Sequence, residues 1–132
     1  MPDSYEFSGN FQNAIVTVKS TLTNTTFTIN NMPNAGTADK DALKKLIEEL
    51  TKALDSIPAD KREDDTVQEG VEAVATRTDE LVKEASAKKV NKKEVEHRGN
   101  RLLEAAKNLA AVAPTVLTIA TQIVTHIGKL FS

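Results

Sequence analysis

From Asp39 onward, apolar residues recur every three or four positions, the spacing that stacks side chains along one face of an α-helix. Leu43, Leu46, Ile47, Leu50, Ala53, Leu54 and Ile57 form one stripe, with Lys44, Lys45, Glu48, Glu49 and Lys52 on the opposite side. Pro58 ends the element, so a helix is predicted over about 39–57. Val67, Val71, Val74, Thr78, Leu81 and Ala85 alternate steps of four and three, which predicts a second helix over about 63–86. Gly70 weakens its first turns, and Glu63-Asp64-Asp65 suit the positive end of its dipole. A third helix, about 92–112, opens with Asn91 as N-cap, Glu94 three residues on and a Val90/Val95 staple. Its stripe runs through Val95, Gly99, Leu102, Ala106, Leu109 and Ala113 and continues in register through Leu117, Ala120, Val124, Ile127 and Phe131. Pro114 interrupts that register and is expected either to kink the helix or to split off a fourth, about 115–130.

The amino-terminal third reads differently. Tyr5 and Phe7 alternate, Gly9-Asn10 offers turn chemistry, and Phe11 to Val18 is rich in β-branched residues, which predicts a short β-hairpin. The Thr-rich stretch 20–29 leans towards extended structure. A helix from a Ser20 cap is the alternative, because Val18, Leu22, Thr25 or Thr26 and Ile29 also fit one helical face. The expected fold is therefore α+β, mainly α: a short N-terminal β-hairpin followed by a three- to four-helix bundle or an elongated helical hairpin. Residues 1–32 form a β-rich assembly element, 33–38 a linker with Pro33 and Gly36, and 39–132 a helical domain. The run 13–18 carries neither charge nor proline, so its edge is expected to pair, on its own helices or on a neighbouring copy.

Charge sharpens this picture. Of the 36 charged residues among 132, only Asp3, Glu6, Lys19 and Lys129 fall outside 39–107; residues 20–38 and 108–128 carry none. Uncharged stretches of this length belong in a core, a membrane or an interface. A span over 108–128 is disfavoured by Pro114, Gln122, His126 and four threonines. A net charge of −2 provides no footprint for nucleic acid, and the start of the chain has neither a basic region nor an apolar targeting segment, so a cytoplasmic location is expected.

Candidate chemistry is sparse. The chain has no cysteine and two histidines, and its five glycines match no phosphate-cradling spacing. Glu94-x-x-His97 is half of a di-iron ligand set without a second copy, and reads as a solvated helix face. Residues 63–65 lack the alternating ligands and central glycine of a calcium loop. His126 reads as a packing histidine. No catalytic residue, cofactor or metal ligand is expected, and the chain is read as a non-enzyme.

Phe7-Ser8-Gly9-Asn10-Phe11-Gln12, Ser20-Thr21-Leu22-Thr23-Asn24 and the run from Ala113 to Ile123 resemble a group of short bacterial proteins, whose like also occur as tails of larger signalling or defence-type NTPases. The resemblance implies a bacterial, intracellular module and carries no catalytic residue. The uncharged ends give the functional expectation: a structural protein that assembles with itself into a homo-oligomer or filament. The expected contact residues are Phe7, Phe11, Ile15, Val16, Val18, Leu22, Phe27 and Ile29 at one end, and Val112, Val116, Leu117, Ile119, Ile123, Val124, Ile127 and Phe131 at the other. The alternatives are a membrane-active effector with a sheltered C-terminal helix and an adaptor for a larger bacterial protein.

Overall fold

The computed structural model describes residues 2–33 and 35–131, with side chains from Phe11 onward. Five α-helices follow one another: α1 (Pro2–Asn30), α2 (Thr37–Asp55), α3 (Asp65–Ala85), α4 (Lys92–Leu109) and α5 (Pro114–Leu130), with a 3-10 turn at Ala59–Lys61. There is no strand among the described residues, so the expected N-terminal hairpin is replaced by one helix of 29 residues. The turn expected at Gly9-Asn10 lies within it, and the side chains of Tyr5 and Phe7 fall outside the described residues.

The helix prevails because of tertiary packing. Phe11, Ala14, Ile15, Val18, Leu22, Thr25 and Ile29 are all buried, and their steps of three and four put them on a single face. A strand would send Phe11, Ile15, Thr25 and Ile29 to one side of a sheet and Ala14, Val18 and Leu22 to the other. Threonine is the least comfortable residue here, and its hydroxyls are absorbed locally. Those of Thr23, Thr26 and Thr28 donate to the carbonyls of Lys19, Leu22 and Asn24, one turn back.

α1, α3 and α5 run in one direction and α2 and α4 in the other. Each helix packs chiefly on two others, in the cyclic order α1, α3, α4, α5, α2. Thus α1 lies between α2 and α3, and the chain from α2 to α3 must cross past its first buried turn. There Arg62 sits 4.9 Å above the Phe11 ring and donates to the carbonyls of Ile57 and Asp55, fastening the crossing. The core is aliphatic and draws on every helix: Leu22 and Ile29, Leu43 and Leu50, Val74 and Leu81, Leu102, and Ile123 and Ile127 are all essentially inaccessible to solvent.

The later helices follow the periodicity closely. The side chain of Asn91 accepts from the Glu94 amide at 3.1 Å, as an N-cap should, and Asp64 does the same for the amide of Thr66 at 2.8 Å. Pro114 does not kink a long helix; it occupies the first turn of a separate one, where its missing N–H costs nothing. Gly70, a weak point for helix propensity, lets α4 come close to α3: a Cβ there would lie 2.6 Å from Leu109 Cδ2.

One polar contact is buried in the α1–α3 interface. The Thr25 hydroxyl donates to Asp79 Oδ1 at 2.8 Å, and Lys83 Nζ lies 2.8 Å from Asp79 Oδ2. Thr25 is fully buried and Asp79 nearly so. Two outcomes follow. Thr25→Val keeps the shape but removes the donor, and is expected to cost about 1–3 kcal/mol in denaturant unfolding because a buried carboxylate oxygen loses its partner. Ile15→Lys places an ammonium in the core and should unfold the chain or lower its stability by roughly 3 kcal/mol or more, read by far-ultraviolet circular dichroism and melting; a strand-bound Ile15 would spare the helix signal.

Candidate interaction surfaces

The residues expected to contact a second copy divide sharply by exposure. Phe11, Ile15, Val18, Leu22 and Ile29 of α1, and Val116, Ile119, Ile123 and Ile127 of α5, are buried in the chain's own core. Val112, Leu117, Val124 and Phe131 are half-buried, and the Phe7 side chain lies outside the described residues. Pairing of strands through 11–18 is therefore corrected: that segment is helical, and most of its apolar side chains are spent inside the bundle.

Two members remain outside. Val16 is 64% exposed and Phe27 68%, the only large apolar side chains so exposed among the described residues. They stand eleven positions apart, three turns of helix and about 16 Å along the axis, and so point the same way. Asn13, Ser20, Thr23 and Asn24 fill the surface around and between them, all exposed and none charged. Lys19 flanks this band and is held to Asp55 at 3.3 Å. The outer face of α5 is also uncharged over Thr115, Thr118, Thr121, Gln122 and Thr125, but its apolar residues turn inward.

The charged middle of the chain supplies the other faces. The groove between α1 and α2, of about 650 Å³, is lined by Lys19, Lys44, Lys45 and Lys52 with Asp41 and Glu48, and its charges largely pair locally. On α4, Arg98 donates to Glu94 Oε1 at 2.9 Å and to the Glu80 carbonyl at 2.7 Å, joining α4 to α3. The guanidinium holds the Glu94 carboxyl below the usual carboxylate range.

His97 is exposed beside this pair, and among the described residues no group of three or more His, Cys, Asp or Glu is placed to hold a metal ion. His126 Nε2 lies 3.4 Å from Asp39 Oδ1, bringing the end of α5 to the start of α2, but it lacks the direction of a hydrogen bond. No described helix is long and apolar enough to cross a membrane.

Sequence reasoning missed the Thr25–Asp79 contact. Its only trace was a threonine and an aspartate at helical core positions, which periodicity alone does not connect. No protein-family model matches the chain, and neither the curated proteins nor the solved structures give a match.

The Arg98–Glu94 pair gives a pH expectation. A carboxylate depressed in the folded state stabilises the fold above its unfolded pKa, and that contribution is lost as pH falls through the folded value. Carboxyl-carbon NMR should therefore place the Glu94 midpoint below that of an ordinary glutamate, and Arg98→Gln should move it upwards.

Proposed function

We propose that this chain is a structural, self-associating helical protein, and that its contact face is the uncharged outer side of α1 centred on Val16 and Phe27. One observation carries this reading: two large apolar side chains are held in water, three turns apart, on one helix whose neighbouring exposed residues are uncharged except Lys19, which is paired with Asp55. A chain that is 27% charged elsewhere keeps its surface wet with lysine and glutamate. Exposing Phe27 and Val16 together gives up burial worth roughly 1.5–3 kcal/mol for each side chain, which a partner surface recovers.

A second copy suits this face for an electrostatic reason. When a face meets its own image across a twofold axis, any net charge on it meets an equal charge of the same sign, and like charges repel. The face around Val16 and Phe27 carries little net charge, since its one lysine, Lys19, is paired with Asp55, so two copies of α1 can lie together without much of that penalty. The asparagine and serine side chains can donate and accept across such a contact.

Light scattering over a concentration series checks this. At roughly 0.5 M salt, where charge contacts are screened, native protein should still rise above its 14.3 kDa chain mass as concentration increases. At that salt Phe27→Glu should hold the chain at monomer mass while shifting stability by less than about 0.5 kcal/mol, because the position is exposed. A native chain that stays monomeric at high concentration overturns the proposal.

A further inference from the structure

The turns at the two ends of α3 carry opposite charge. The turn between α2 and α3, residues 55–65, carries five acidic residues against two basic ones, and Arg62 is bound inward to backbone carbonyls and Phe11. The turn between α3 and α4, residues 83–93, carries five lysines against Glu84 alone. α3 joins the two, and its 21 residues hold them about 30 Å apart at opposite ends of the molecule.

Folding explains the acidic end better than the basic one. Asp64 caps α3, and Asp65 sits in its first turn, where the dipole favours negative charge. Lys88 and Lys89 follow the end of α3, again the favourable place for cations. Lys92 and Lys93 are different: they are the first two residues of α4, the positive end of that helix's dipole. All four lysines are exposed, and none has an ion pair among the described residues. Crowding the four together works against the fold through mutual repulsion, and Lys92 and Lys93 also oppose the α4 dipole, costs that negative charge from outside relieves.

We propose that copies of the chain stack head to tail, the basic turn of one receiving the acidic turn of the next through Lys88, Lys89, Lys92 and Lys93 against Asp60 and Glu63. The partner is identified by sign and position. The complementary charge lies at the far end of the same molecule, so a translation roughly along α3 brings the two faces together. The net charge of −2 and the acidic end weigh against a polyanion such as nucleic acid or an anionic lipid surface. A contact of this type joins unlike faces, so it closes only if its rotation does and otherwise extends without limit. It uses neither Val16 nor Phe27 and so goes beyond the α1 face.

The test is charge exchange between ends, read by light scattering. Native mass should grow more steeply with concentration at low ionic strength, roughly 0.02 M, than near roughly 0.5 M salt, where screening is short-ranged and the α1 contact alone remains; the excess at low salt is the salt-sensitive growth. The variant Lys88→Glu/Lys89→Glu/Lys92→Glu/Lys93→Glu has two acidic ends and should lose this salt-sensitive growth, with association at least about tenfold weaker. Its melting temperature should stay close to native, since the gain at the start of α4 offsets the loss after the end of α3. Asp60→Lys/Glu63→Lys has two basic ends and should fail likewise alone. Mixing the two variants should restore growth, because each then presents what the other needs. Phe27→Glu should keep the salt-sensitive growth, which separates failure of stacking from failure of the α1 contact. Unchanged growth in the lysine variant, no restoration on mixing, or a native mass indifferent to low salt overturns the proposal. So does binding to anionic vesicles through the same lysines without a rise in mass.

Discussion

The Thr25 hydroxyl and the Asp79 carboxylate meet at 2.8 Å inside the α1–α3 interface, and the arrangement of the bundle depends on that meeting. Aliphatic stripes slide past one another at little cost, so a core of leucine, isoleucine, valine and alanine leaves register weakly specified. A buried carboxylate that loses its donor is expensive, and the expense is incurred by any slip of one turn. Lys83 takes up the second oxygen from the solvent side. α1 is thereby locked alongside α3, and since α2 lies on its other flank, the cyclic order of five helices follows from where α1 is placed.

This also explains which parts of the fold were legible beforehand. α2, α3 and α4 carry charges opposite their apolar stripes, so Leu43 to Ile57, Val67 to Ala85 and Val95 to Leu109 announce a 3.6-residue period. α1 has no such contrast. Its outer face is Asn, Ser and Thr with Val16 and Phe27 among them, so the apolar face at Phe11, Val18, Leu22 and Ile29 does not stand out against it. β-Branched composition then weighs more than it should, because local preference is weak beside the burial of a whole helical face. The alternative helical spacing of Val18, Leu22, Thr25 and Ile29 was readable; what was missing was the neighbouring α3 that rewards it.

The candidate surfaces were legible only in part. Absence of charge correctly singles out the two ends of the chain as unusual, and it merges two physical situations. Ile15 and Ile123 are uncharged because they are buried; Ser20, Asn24 and Thr118 are uncharged while facing water. Separating them requires knowing the direction of each side chain, which a mistaken strand period reverses at alternate positions. The polarity between the acidic and basic turns was likewise invisible along the chain, where both lie inside one charged block. It emerges only because α3 is straight enough to carry its two ends apart.

The distance in sequence between Thr25 and Asp79, 54 positions, has a consequence for synthesis. α1 leaves the ribosome before the helix that shelters it exists. At about 5–20 residues per second, its phenylalanine-bearing stripe waits roughly 3–10 s for its principal partner. Over that interval the nascent segment is a threonine-rich peptide with Lys19 as its one charge between residues 7 and 30, and with a strong taste for extended structure and for chaperones. The β-character of residues 11–29 thus describes a hazard of the newborn chain, one that vanishes once α3 arrives.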